Sequence, residues 1–290
     1  MTTPTTANDH FHIGGDLRVR RMGFGAMRLP VSTLDGPPND RDTALRVLRR
    51  AVELGADHVD TAAFYYHQSG LAANELIRTA LSPYPDGLVI ATKVGPYRGP
   101  DDPIPTGQLP ASGLRAEVER NLRELGRDSL DLVYLRPGGL DEPGDDPIAE
   151  RFEILAGLRE EGLIRHLGLS HVDTAQLAEA RTIAPVTAVQ NRFDITQAAD
   201  TEMLEICARD GIAYVPYFPL GGFGIPDDDR VKAVAARHGA TVPQVLLAGL
   251  LALSPVMLAI PGTGSPAHLE ENMAAARLRL TPEDLAALRG

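Results

Sequence analysis

Short apolar runs alternate with longer amphipathic stretches along almost the whole chain. MGFGAM (22–27) is the first run, and RDTALRVLRRAVELG (41–55) follows it, with Leu45, Leu48, Ala51 and Leu54 on one face and Gly55 as a stop. HVDTA (58–62) precedes a helical pattern over 73–81, LVIATKVG (88–95) one over 113–126, and DLVYLRP (131–137) one over 149–162. IRHLGLS (164–170) precedes 174–184, and VTAVQNRF (186–193) precedes 200–211. IAYVPYFPL (212–220) leads into two helical segments, 228–238 and 242–253. VMLAIPG (256–262) leads into 266–276, and a capped helix is expected over 281–288. Such alternation requires parallel strands joined by crossover helices. Eight units closing into a (β/α)8 TIM barrel, an α/β fold, is the simplest solution. The competing solution is an open doubly wound sheet. Its Gly-rich turn would have to be GFGAMR (23–28), which lacks a third glycine and is followed by no immediate helix. Residues 11–23 predict a short hairpin plugging the bottom of the barrel. Residues 1–10 are expected to be a disordered leader, leaving 11–290 as one barrel domain.

Length and composition agree with that picture. A chain of 290 residues suits one barrel, and 43% apolar with 23% charged residues allows a large core. No apolar run has membrane-spanning length, and the N-terminus has neither the basic start nor the apolar centre of a signal peptide. The net charge of -11 argues against a nucleic-acid partner. Cys207 is the only cysteine, so no internal disulfide and no cysteine-based zinc site is expected. The expectation is a cytoplasmic monomer or weak homo-oligomer acting on a small molecule, with no metal.

The unusual residues collect at the ends of the apolar runs, which a barrel gathers at one mouth. Lys93 sits in an apolar strand and needs an anion; Asp60, at the neighbouring strand tip, is the nearest candidate. That pair alone could be structural. Tyr65 changes the balance, because a cation beside a tyrosine favours its phenolate and makes it a general acid for a carbonyl oxygen. Tyr66 reads as packing or a pocket wall. A second signal is IPGTGSPAHLEEN, where Gly262, Thr263, Gly264 and Ser265 directly precede a helix and offer donors to an anion. Ordinary capping by Ser265 is the alternative. PLGGFG (219–224) is another donor-rich turn, and His268 is the only potential cation of the 262–272 segment. Tyr217 is placed either to stack on a flat ring or to pack in the core. Together these features suggest carbonyl reduction by hydride transfer.

At this point the sequence resembles an aldo-keto reductase over about residues 21 to 288, through DTAxxY (Asp60 to Tyr65) and the lysine of ATKVG. The resemblance implies a (β/α)8 barrel binding NADPH without a Rossmann domain. By position it implies that Asp60, Tyr65 and Lys93 are three of the catalytic tetrad. Ser170 and Gln190 would hold the nicotinamide carboxamide, with His171 where the family usually has Asn. Tyr217 would stack on the nicotinamide, and Gly25, Ala26 and Met27 would run beside it. Phe218, Pro219, Leu220, Gly221 and Gly222 match the pyrophosphate loop. Gly262, Thr263, Gly264, Ser265, His268, Glu271 and Asn272 match the adenosine phosphate segment.

The departure is Arg136, where the family has His. An arginine is always charged and cannot shuttle protons, but it can donate to a carbonyl oxygen or a phenolate. An ion pair with Asp131 or Asp60 is the structural alternative. With GIAYVPYFPLGGF and IPGTGSPAHLEENMAAA, Arg136 is similar to the bacterial pyridoxal reductase branch, which implies NADPH-dependent reduction of pyridoxal to pyridoxine. A reductase of a sugar or secondary-metabolite ketone is the sibling reading, and a non-catalytic NADPH-binding redox sensor the reading from another class. Loops 95–113 and 136–147 would decide the substrate.

Overall fold

The computed structural model describes residues 9–33, 36–99, 102–137, 147–196, 199–222, 224–225 and 227–289. The chain opens on an antiparallel hairpin, β1 (His10–Ile13) and β2 (Leu17–Arg20). Next come β3 (Phe24–Gly25), α1 (Arg41–Glu53), β4 (His58–Asp60), α2 (Ala73–Leu81) and β5 (Val89–Val94). A two-stranded turn, β6 (Pro96–Tyr97) and β7 (Gly107–Gln108), interrupts the loop before α3 (Leu114–Leu125). Then follow β8 (Leu130–Leu135), α4 (Ala149–Glu160), β9 (Ile164–Ser170), α5 (Thr174–Ile183), β10 (Val186–Gln190), α6 (Thr201–Asp210) and β11 (Ala213–Tyr214). The chain ends on α7 (Asp229–His238), α8 (Val242–Leu253), α9 (Pro266–Ala274) and α10 (Pro282–Arg289).

Seven strands form one parallel sheet in the order β11-β10-β9-β8-β5-β4-β3. The eighth run closes the barrel between its two edges by single bridges, Met257 to Tyr214 and Ala259 to Met22. Five backbone hydrogen bonds among the described residues carry the closure, one of them from the Gly25 N–H to the Pro261 carbonyl (3.3 Å). Tyr214 N–H donates to the Val256 carbonyl (2.9 Å) and Leu258 N–H to Tyr214 (2.8 Å). Gly23 N–H donates to Ala259 and Ala259 N–H to Arg21 (both 2.8 Å). Arg21, buried here, donates to the carbonyls of Met257 (3.1 Å), Ser254 (2.6 Å) and Leu251, and so fastens the end of α8 to the start of β3. Two expected strands are shorter than their apolar runs. Pro216 removes a ladder donor after β11. The first run ends at Gly25, and Ala26–Arg28 turn into a short 3-10 helix.

Two apolar layers result. Outward residues of the strands, such as Ile90, Val94, Val133 and Leu167, pack against the helices. Inward residues, Val89, Ala91, Leu132, Tyr134, Ala188 and Leu258, fill the lumen together with Ile13, Leu17 and Val19 of the hairpin. The hairpin precedes β3, so it plugs the N-terminal end of the barrel, as expected. His10 is its first strand residue, inside the expected leader; residues 1–8 lie outside the described set. The plug is latched at its tip. His166 Nε2 lies 2.6 Å from Asp16, Arg165 donates to the same carboxylate, and a Cβ on Gly14 (φ +62°) would come within 2.2 Å of the His166 ring.

Candidate active site

Strand period two sets the floor of the site. Asp60 pairs in register with Ala91, a lumen residue, and Lys93 is the next inward position of β5. Both side chains therefore enter the lumen at its C-terminal end, where an isolated charge would be costly. They satisfy each other. Lys93 Nζ donates to Asp60 Oδ1 at 2.6 Å and to the Thr61 carbonyl at 3.0 Å, with both side chains almost wholly enclosed. The other Asp60 oxygen accepts from Gln190 Nε2 at 2.7 Å. Burial opposes the Lys93 ammonium, yet Asp60 and Tyr65 outweigh it and hold the lysine above its ordinary pKa. The ammonium stands 4.9 Å from the centre of the Tyr65 ring. Tyr65 opens onto a cavity of about 870 Å³, whose walls come from the loops at the C-terminal ends of the strands. Tyr134, wholly buried in the lumen, is a different case: burial and Asp60 push its phenol well up, so it is a poor proton donor.

Arg136, directly after β8, lines the same floor. Its Nη1 donates to Ser170 Oγ at 3.2 Å, and its guanidinium carbon lies 4.9 Å from the Tyr217 ring centre. The alternative partners are engaged elsewhere: Asp60 with Lys93 and Gln190, Asp131 with Arg127 and the Ile90 N–H. Tyr217 is half-buried at the cavity wall, and its hydroxyl is 2.8 Å from His171 Nδ1. His171 (φ +60°) and Phe218 (φ +58°) both hold the left-handed backbone that non-glycine residues rarely adopt, a mark of sites where geometry is enforced.

The cavity gathers Gly25, Met27, Asp60, Tyr65, Arg136, Gln190, Tyr217 to Leu220, Gly222, Gly262 to Ser265 and His268 of the expected residues. Ala26 is buried among the helix-facing core, Lys93 and Ser170 stand behind the lining, and Asn272 is buried. Gly221 is not part of the lining. The Glu271 carbonyl accepts from Gln244. Ser265 caps α9 through a bond from the His268 N–H (3.4 Å), and Thr263 Oγ1 accepts the Ser265 N–H (3.0 Å), so the capping alternative is realised. Residues 138–146 of the expected substrate loop lie outside the described set.

Sequence reasoning missed two wall arginines. Arg28, three residues past Gly25, donates to the Gly222 carbonyl (3.1 Å) and to Ser32, and faces the same cavity as His268. Arg98 comes from the loop after β5. Arg28 had a signal, a basic residue just beyond a strand tip; Arg98 had none, because its partners are backbone carbonyls. One atom of the floor also fits an incoming amide. Gln190 Oε1 is buried and has no hydrogen-bond partner among the described residues.

A parallel eight-unit barrel with a buried lysine–aspartate pair behind a tyrosine at its mouth defines a class. The chain belongs to the aldo/keto reductase family, which it matches over residues 21–290. It is 47% identical to pyridoxine 4-dehydrogenase of Escherichia coli (strain K12) over 278 residues, 95% of this chain and 96% of that one. An uncharacterized oxidoreductase of Schizosaccharomyces pombe is 38% identical, covering 94% and 87%. Among solved structures, an aldo/keto reductase from Klebsiella pneumoniae in complex with NADP and acetate superposes with a TM-score of 0.77 at 26% identity, over 97% of this chain and 94% of that one. Among the described residues no helix is long and apolar enough to cross a membrane, and no group of His, Cys, Asp and Glu is arranged to hold a metal.

Proposed function

We propose that the protein reduces an aldehyde or ketone to an alcohol with NADPH, with pyridoxal as the leading substrate and Tyr65 as the general acid. The carrying observation is the Asp60–Lys93 pair set directly behind Tyr65 at the floor of the cavity. The E. coli relative's name supports the substrate, and the NADP in the Klebsiella structure supports the cofactor. NADPH, when bound, supplies a hydride to the carbonyl carbon. The residues of the chain do the rest. Tyr65 Oη gives its proton to the carbonyl oxygen, and the nearby Lys93 ammonium stabilises the phenolate left behind. Asp60 keeps Lys93 in place. Arg136, fixed by Ser170, donates toward the substrate oxygen and moves no proton. Gln190 Oε1 and Ser170 are suited to the nicotinamide amide, Tyr217 to the ring, and the 218–222 and 262–265 loops, with Arg28 and His268, to the phosphates; His171, Glu271 and Asn272 complete the expected set. The same reading has the chain as a cytoplasmic monomer or weak homo-oligomer.

The test is NADPH consumption with pyridoxal against a panel of small aldehydes and ketones, beside Tyr65→Phe. Loss of one acid–base group should cost about 10²- to 10⁴-fold in kcat, with NADPH binding retained. Equal rates in the variant would remove Tyr65 from the mechanism. Turnover of other carbonyls but not pyridoxal would keep the mechanism and discard the substrate. Tight NADPH binding without turnover of any carbonyl would favour the sensor reading.

A further inference from the structure

We infer that Arg98 is a positioning residue for Tyr65, which makes the substrate-side wall and the proton donor one mechanical unit. The inference rests on Tyr65 being the proton donor. Arg98 Nη1 donates to the carbonyls of Phe64 (2.8 Å) and Tyr66 (2.7 Å), the two residues on either side of Tyr65. Its guanidinium carbon lies 3.9 Å from the centre of the Tyr66 ring, and the Tyr66 hydroxyl donates back to the Gly99 carbonyl at 3.1 Å. The other edge of the guanidinium binds its own loop, Nε to the Asp102 carbonyl at 2.8 Å. The Asp102 carboxylate in turn accepts from the Gly99 N–H (3.1 Å) and Thr106 Oγ1 (2.9 Å). The turn is close at Gly99, where a Cβ would come within 2.7 Å of that carboxylate.

The consequence is a coupling between two walls. The loop that Arg98 fastens also presents Pro103, Ile104 and Pro105 to the cavity that Tyr217 and the 262–265 loop line. The segment it grips carries Tyr65, whose N–H donates to the Ala62 carbonyl (3.0 Å) and whose carbonyl accepts the Ala73 N–H (2.9 Å), with a bridge from Tyr66 to Ala72 beside it. A small rotation of this backbone is magnified at the phenol oxygen, the far end of the side chain. A misplacement of about 1 Å at a reacting atom costs about a hundredfold in rate. Only arginine suits the position, because a planar fork can stack on a ring and still reach carbonyls at both edges, whereas an ammonium is a point donor.

The test is steady-state kinetics of Arg98→Met, Arg98→Lys and Tyr66→Leu with pyridoxal and with a small aliphatic aldehyde, together with NADPH affinity by fluorescence. Wild type and Tyr65→Phe run in parallel. Expected is a kcat about ten- to a hundredfold lower in Arg98→Met for both substrates, with NADPH affinity unchanged. Arg98→Lys, which guards against a failure to fold, should also lose kcat, and Tyr66→Leu should share the loss. If kcat is unchanged and only the KM for pyridoxal rises, Arg98 merely shapes the wall and the inference is overturned. Loss of NADPH affinity in Arg98→Lys overturns it too, since the effect is then global. Wild-type turnover that does not depend on Tyr65 defeats the mechanism itself and the inference with it, an outcome distinct from Tyr65-dependent turnover that is indifferent to Arg98.

Discussion

A lysine ammonium with 2% of its side chain exposed survives only through its partners. Removing one partner of a buried ion pair costs about 3–5 kcal/mol, because the other charge is left uncompensated, whereas replacing both by apolar groups is often neutral. Lys93→Met should therefore lower stability by about that amount and leave Asp60 with Gln190 alone. Asp60→Leu combined with Lys93→Met should restore much of the stability in urea melts but none of the turnover. Recovery of activity in the double variant would show that the pair is structural only. Asp60, Tyr65 and Lys93 were legible in the sequence because polar residues that end apolar runs demand a reason. The second Asp60 contact was not, because nothing in the local sequence tells Gln190 to spend its amide nitrogen on a carboxylate four strands away in the barrel. Arg98 was invisible for a related reason: its partners are main-chain carbonyls, whose position only the fold sets.

At the scale of elements, barrel closure is the demanding step. The eighth run meets β3 at two glycines. A Cβ on Gly262 would lie 2.5 Å from the Gly25 carbonyl oxygen, and one on Gly25 would lie 2.6 Å from that of Ile260. Both obstacles are backbone, which cannot swing aside as a side-chain end can. Gly262→Ala should cost about 1–3 kcal/mol, as overpacking does, read as a lower denaturant midpoint at unchanged slope. Gly157 is the control. It lies inside α4 with nothing within 4 Å of an added Cβ, so Gly157→Ala should raise stability by about 0.5–1 kcal/mol. Equal effects of the two substitutions would refute steric closure at Gly262. The ten helices of the described residues were readable in the sequence, since most bury an apolar face against a neighbour; α10 packs on α7 and α8 rather than on the sheet. The eighth strand was overread: an apolar run was visible, but its pairing by single bridges depends on edges provided by β11 and β3.

For the whole molecule, the net charge of -11 sits beside a cavity whose described lining holds Arg28, Arg98 and Arg136 against the single carboxylate Asp60. A local site can thus oppose the overall charge, as the proposed anionic cofactor requires. The barrel class was legible because eight units in order leave few topologies. The substrate was not, because the cavity walls come from loops whose contacts obey no period. Global stability has its own anchor at the far end of the chain. Asp284, in α10, is 3% exposed and binds Arg237 Nη2 (2.5 Å) and His238 Nε2 (2.7 Å) of α7, while accepting the Thr281 N–H (3.0 Å). The bond from Arg237 holds this carboxyl well below the usual range; burial opposes it, and Thr281 and His238 add to the lowering. A depressed folded-state pKa stabilises the protein at pH above the unfolded value, about 3.9 for Asp, and that contribution disappears as pH falls through the folded value. Asp284→Asn should therefore melt below wild type at neutral pH, and the gap should narrow as the pH drops below about 4, where the unfolded carboxylate takes up its proton. Thermal melts of both proteins from neutral to acidic pH check this. A gap that stays constant across the range would mean that Asp284 acts through packing, not through its charge.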